Sequence, residues 1–158
     1  IWPLTTIASF SEKAESLVQT AQKSILISCW PEELGWLSPA LKAAEGKGIQ
    51  IALVHFGQTA EKIGATYHHP VEQTIYAEKG GRGLTLVTDG SAVIIGSLKD
   101  DELIDASWSK SPAFVAVAED YIKHDVYITK VTRFLDEPLK ARFGEQYQQL
   151  RNIFDSEA

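Results

Sequence analysis

Apolar positions along this chain follow two rhythms, one helical and one extended. Ser9-Phe10-Ser11-Glu12 has the spacing of a capping box, and Phe10, Ala14, Leu17 and Ala21 follow at helical intervals, which predicts a helix over about residues 10–23. The run Ile25-Leu26-Ile27-Ser28-Cys29-Trp30 then reads as a buried strand. Ser38-Pro39 has the form of a cap followed by proline at the first helical position. Leu37, Leu41 and Ala44 supply the inner face of that helix, and Gly46-Lys47-Gly48 ends it. Ile49 to Phe56 is a second buried strand. A strand, a helix and a strand in this order imply a right-handed crossover between parallel neighbours covered by helices.

Residues 57–80 are polar and carry no such rhythm; they admit a short strand near Thr66-Tyr67 or a helix after Pro70. The next signal is sharper. Leu84 to Thr88 and Ser91 to Ser97 flank Asp89-Gly90, the pattern of a hairpin with a tight turn. Ser111-Pro112 opens a long helix to about Leu135, which Asp136-Glu137-Pro138 breaks. Leu139, Phe143, Tyr147, Leu150 and Phe154 form the stripe of a last helix. At about 100° per residue, Phe114, Val117, Tyr121, Ile128, Val131 and Leu135 share one arc of the long helix, with His124 and Asp125 inside it or at its border.

The remaining properties narrow the function. The chain of 158 residues suits one domain with a single core, and 44% hydrophobic with 23% charged residues is ordinary globular composition. A formal charge of −6 disfavours direct contact with a phosphate backbone, and no basic run exceeds Lys79-Gly80-Gly81-Arg82. No apolar run approaches the roughly 18 residues of a membrane span, and Ile1-Trp2-Pro3-Leu4 does not open a secretory signal. The one cysteine, Cys29, excludes an internal disulfide and fits a reducing, cytoplasmic setting. The chain contains no methionine, so a piece of a longer protein is expected.

Parallel strands followed by a hairpin ending Ile94-Ile95-Gly96-Ser97 resemble the phospholipase-D superfamily. That family carries His-x-Lys-x-x-x-x-Asp on one strand and Gly-Ser-x-Asn at the end of the next. Setting Asp89 on the family aspartate places Arg82 at the nucleophilic histidine, Leu84 at the lysine and Lys99 at the asparagine. Arginine does not lose its proton to become a nucleophile, and leucine cannot neutralise a phosphate. The resemblance is closer to the effector domain of TrmB-type transcriptional regulators, a degenerate phospholipase-D-like unit. It rests on Ser28-Cys29-Trp30, Gly48-Ile49-x-Ile51-x-Leu53, Leu86-Val87-x-Asp89, Ile95-Gly96, and Ala106-Ser107-Trp108-Ser109 before Tyr121-Ile122-Lys123-His124-Asp125-Val126-Tyr127. It implies an α/β phospholipase-D-like sandwich, a mostly parallel mixed sheet flanked by helices, with C-terminal helices. It also implies a homodimer that senses a small-molecule effector, and a winged-helix DNA-binding domain preceding this one, through which alone DNA is bound.

Candidate ligand contacts are Trp30, His55 and Phe56 at the ends of the two parallel strands, where open α/β sheets favour ligands; Trp30 and Trp108 either stack together on a small molecule or serve equally well as core or interface aromatics. Asp89, Ser97 and Ser109 join them, as do His124 and Asp125, which either line a cleft or dimer seam or form a satisfied core network. Leu139, Phe143, Tyr147 and Leu150 are candidates for a dimer interface. Adjacent His68 and His69 lack metal-ligand spacing, so neither metal nor cofactor is expected. Gly80-Gly81-Arg82-Gly83 resembles an anion nest but reads more readily as a flexible loop, and Cys29 as a structural thiol rather than a nucleophile. Two competing functions remain: an atypical phosphodiesterase using His124 with Asp125, or His55, and a dimerisation module with no ligand.

Overall fold

Every central strand divides its side chains between two faces, and that division organises the molecule. The computed structural model describes residues 1–69, 77 and 80–157. The described strands are β1 (Trp2–Pro3), β2 (Ser24–Cys29), β3 (Gln50–Phe56), β4 (Ala65–His69), β5 (Arg82–Thr88), β6 (Ala92–Lys99) and β7 (Glu102–Ser109). They form one sheet in the order β1-β7-β6-β5-β2-β3-β4. β2, β3 and β4 are parallel, whereas β5, β6, β7 and β1 join antiparallel. Helices α1 (Ile7–Thr20) and α2 (Pro31–Gly46) cover one face, and α3 (Pro112–Phe143) covers the other. A 3₁₀ turn, Glu145–Tyr147, and a short α4, Gln148–Arg151, follow.

Strand parity assigns the layers. Ile25, Ile27 and Cys29 of β2, Ile51 and Leu53 of β3, Leu84 and Leu86 of β5, and Ile94 and Leu98 of β6 are buried beneath α1 and α2. The alternate residues Val54, Val87 and Val93 meet Val115, Ala118 and Ile122 of α3. The α/β class, the parallel pair and the hairpin follow the sequence expectation. Asp89 and Gly90 both take positive φ, 55° and 60°, and Ser91 N–H closes the turn on the Thr88 carbonyl at 3.0 Å. The expected strand near Thr66-Tyr67 is β4; a helix after Pro70 falls outside the described residues.

Several boundaries move. Helix α1 starts at Ile7, three residues before the expected start, because Thr6 makes the capping box with Ser9. The Thr6 hydroxyl accepts from Ser9 N–H at 3.0 Å, and the Ser9 hydroxyl accepts from Thr6 N–H at 3.3 Å. Pro31, not Pro39, takes the first position of α2, and Pro39 sits inside the helix, where its missing N–H removes one ladder bond. Strands β1 and β7 have no counterpart among the predicted elements. In β7 a register shift opposite Ser97/Leu98 interrupts the period of two, so Leu103 and Ala106 both turn toward the α1–α2 core.

The long helix holds the largest correction. Its buried positions are Val115, Ala118, Ile122, Thr129 and Thr132, while Phe114, Val117, Ile128, Val131 and Leu135 of the expected inner arc are exposed. Pro138 does not end the helix; it bends at Leu135 (φ −124°, ψ 26°) and runs on to Phe143. The expected last helix is interrupted instead at Gly144 (φ 84°), Gln146 and Tyr147, all at positive φ. Tyr147 consequently folds back and donates its hydroxyl to Asp136.

Candidate functional site

Where β2 and β3 end, α3 stands away from the sheet and leaves a cleft of about 600 Å³. Parity puts Ser28 and Phe56 on this side, and Trp30, leading into α2, continues it. The Trp30 and Phe56 rings stack at 5.0 Å between centroids and 12° between planes, a flat wall held by two chain segments. Gly83 and Thr85 of β5 with Ile95 and Ser97 of β6 form the floor, and Phe114, Val117, Ala118 and Tyr121 of α3 close the far side. Such a volume lies within the range of small-molecule sites.

Among the described residues, one charged side chain borders the cleft. Arg82 places Nε 3.0 Å from Glu33 Oε1 and 3.4 Å from Glu32 Oε2, and its Nη1 donates to the Asp100 carbonyl at 3.0 Å. Glu33 is buried in the first turn of α2; burial pushes its carboxyl above the usual glutamate range against the opposing pull of the guanidinium. Its Oε2 makes no hydrogen bond among the described residues. The same described lining contains no histidine, lysine or carboxylate. Leu84, at the position aligned with the family lysine, is buried on the opposite face under the helices.

Two of the glycines lining the cleft answer to close packing. A Cβ at Gly96 would stand 2.2 Å from Cζ of Phe10, and one at Gly81 would stand 2.2 Å from the Leu98 carbonyl oxygen. Gly-Ser at positions 96 and 97 thus lets α1 pack on β6, while the Ser97 hydroxyl faces the other side.

Of the sequence candidates, Trp30, Phe56 and Ser97 meet in this cleft. His55 is one residue out of phase and lies buried on the α2 face, its Nδ1 2.8 Å from the Gly57 carbonyl oxygen. Trp108 does not meet Trp30: it stacks on Trp2 at 4.4 Å, with the Lys13 ammonium 3.5 Å from its ring centroid. Asp89 is at the opposite end of β2, where its carboxylate accepts from the backbone N–H groups of Gln22, Lys23 and Ser24 at 2.7–3.1 Å. Burial opposes its ionisation, but those three donors prevail and hold the carboxyl below the usual aspartate range. Ser109 Oγ accepts from Ser111 N–H at 3.0 Å, just ahead of α3.

His124 and Asp125 point in different directions. His124 is exposed beside Tyr127, whereas Asp125 turns back toward His69, 3.9 Å from its Nε2. Among the dimer candidates, Leu139 and Phe143 are half-buried, Leu150 is exposed and Tyr147 is buried. Cys29 is buried, and burial followed by the charge of Glu33 pushes its thiol up. Among the described residues no three His, Cys, Asp or Glu side chains gather as a metal site, and no helix is long and apolar enough to cross a membrane. Sequence reasoning missed Ser28, Thr85, Ile95 and the Arg82–Glu33 pair. Counting residues in twos from Ser97 along β6 and from Trp30 along β2 finds Ile95 and Ser28, whereas Thr85 emerges only from the register that sets it opposite both of them. No local signal ties Arg82 to Glu33.

Residues 1–124 match the family described as Transcriptional regulator TrmB, EBD N-terminal subdomain. The chain belongs to that family. An uncharacterized Bacillus subtilis (strain 168) protein, YrhO, is 29% identical over 156 residues, covering 98% of this chain and 56% of that protein. The chain therefore spans about half the length of this relative. Among solved structures, TrmBL2, described as an archaeal chromatin protein with a novel mode of DNA binding, superposes with a TM-score of 0.55 at 17% identity over 78% of this chain and 50% of its own. NucT from Helicobacter pylori gives 0.53 at 12% identity over 77% and 92%. A phospholipase D family member, Nuc from Salmonella typhimurium, gives 0.48 at 15% over 72% and 82%. At such identities the structural likeness concerns the fold alone.

Proposed function

We propose that this TrmB-family domain senses a small molecule in the cleft between α3 and the sheet, forms a homodimer, and does not cleave phosphodiesters. The observation that carries the reading is the cleft's chemistry. It has aromatic walls and a volume suited to a metabolite, and its described lining offers no imidazole or ammonium beside Ser97. A phosphodiesterase of the resembled kind needs an attacking nitrogen and a cation on the phosphate. Here Arg82 is engaged by Glu33, and His55 and His124 lie elsewhere.

The exposed apolar arc of α3, Ile128, Val131 and Leu135, together with Leu139, Phe143 and Leu150, supports a two-fold contact. DNA binding would belong to a winged helix elsewhere in the whole protein, since the acidic charge of this chain disfavours phosphate. A cytoplasmic location accords with that role.

Two measurements test the proposal. Thermal-shift screening of metabolites is expected to find a stabilising ligand, because a molecule that binds only the native state raises its apparent stability by mass action. Incubation with a chromogenic phosphodiester is expected to give no turnover above that of the His55→Ala and His124→Ala variants. Histidine-dependent turnover would establish the enzyme instead, and silence across a broad library would leave a ligand-free dimerisation module.

A further inference from the structure

We propose that the molecule held in this cleft is uncharged and predominantly apolar, with a flat ring that lies against Trp30 and Phe56. The inference rests on the ligand-sensing reading and specifies its substrate class. Three features of the lining carry it.

The first is charge. Arg82 is shared by Glu33 and Glu32, so the three groups together sum to one negative charge at the cleft's edge. A phosphate or carboxylate entering there would lose its hydration and meet a guanidinium whose attraction is already spent on two carboxylates. Anionic metabolites are therefore selected against.

The second is polarity. The described lining side chains that carry neutral hydrogen-bonding groups are the hydroxyls of Ser28, Thr85 and Ser97 toward the sheet, the Trp30 indole, and the Tyr121 phenol on α3; around Phe114, Val117 and Ala118 there is none. A sugar carries hydroxyls around its whole rim. Those turned toward Phe114, Val117 and Ala118 would lose water without a partner, at about 1–3 kcal/mol for each group left unsatisfied. A ligand with one polar edge toward β5 and β6 and an apolar body toward α3 avoids that loss.

The third is shape. The Trp30 and Phe56 rings are nearly parallel, with 12° between them, Phe56 also meets the His69 ring at 4.6 Å, and Trp30 is fixed where β2 passes into α2. A flat partner can approach such a wall by offset stacking or edge-on contact. Val117 is 72% exposed on the far side, so apolar surface that a monomer would ordinarily hide is left facing the opening.

The test uses the full chain and a matched naphthalene series: naphthol, naphthyl phosphate and naphthylmethylammonium, with glucose beside them. Melting temperature and tryptophan fluorescence are read for each. Naphthol is expected to raise the melting temperature and quench emission, with the quench lost in Trp30→Phe. Naphthyl phosphate and glucose are expected to do neither, and the ammonium to bind more weakly than naphthol. Phe114→Ala and Val117→Glu change exposed positions, so each is expected to keep the parent's melting temperature while weakening naphthol at least tenfold.

Binding of naphthyl phosphate or glucose that depends on Phe114 overturns the ligand class yet leaves the sensing reading standing. Failure of naphthol also overturns it. Sedimentation then shows whether a second copy covers the cleft, and the broad metabolite library decides the sensing reading separately.

Discussion

The two faces of the sheet are built from alternate residues of the same strands, yet they serve different ends. Under α1 and α2, Phe10, Leu17, Leu37 and Leu41 interlock with the isoleucines and leucines of β2, β3, β5 and β6 in one continuous core. Under α3 the contact is small: Val54, Val87 and Val93 against Val115, Ala118 and Ile122. Valine and alanine fill less space than leucine and phenylalanine, so α3 touches the sheet along one line and leaves a cleft beside it. The closed face supplies most of the apolar burial, and the open face leaves the cleft accessible. A function that needs an accessible site is thereby separated from the packing that keeps the chain folded.

Substitutions on the two faces break or sharpen this contrast, and they run from large effects to small. Phe10→Ala is expected to cost about 3–5 kcal/mol in denaturant unfolding, since it opens a cavity in the closed core. Gly96→Ala is expected to destabilise strongly alone and far less in the Phe10→Ala background, because its Cβ collides with that ring. Additive losses would show that α1 does not pack on Gly96 as described.

Next comes the ion pair at the cleft's edge. Arg82→Leu leaves Glu33 buried without its cation and is expected to cost about 3 kcal/mol, most of it recovered in Arg82→Leu/Glu33→Leu. The pH sign follows from Glu33, whose folded carboxyl lies above its ordinary value of 4.5. Protonation therefore favours the folded state, and the single variant regains stability as pH falls from neutrality toward 4.5. Stability of the single variant that stays flat with pH would show that Glu33 is not carrying the cost.

Asp89 has the opposite sign. Its folded carboxyl lies below the ordinary 3.8, so its contribution is complete above that value and lost as pH falls further through the lowered one. Asp89→Asn is expected to cost about 1–2 kcal/mol at neutral pH, with the difference from the parent vanishing in acid. The smallest effect is expected on the open face. Ile122→Ala, at the buried line of α3, should cost at least about 2 kcal/mol, whereas Val117→Ser on the same helix should stay within about 0.5 kcal/mol. Equal losses at both positions would mean that the outer arc of α3 is covered by a second copy.

How much of this is legible in the sequence depends on the range of the signal. The hairpin is written locally, because Asp89-Gly90 between two apolar runs has few alternatives. The crossover from β2 to β3 is equally plain. The start of α1 misleads because Thr6, Ser9 and Glu12 allow two overlapping capping boxes, and only the packing of Phe10 and Val18 chooses between them. In the candidate site, Trp30, Phe56 and Ser97 were recognisable as residues at strand ends. Their separation from His55 and Asp89 depends on strand phase and on which end of the sheet each occupies.

By itself the sequence determined the α/β class, the parallel pair and the hairpin. Each of these follows from a local pattern. Only the tertiary structure decided which side of α3 is inside. Apolar residues occur around much of that helix, so its periodicity favoured the larger arc of Phe114, Val117 and Val131. Burial went to Val115, Ala118 and Ile122 because theirs is the arc that meets Val54, Val87 and Val93 of the sheet, a match of surfaces that no single segment records.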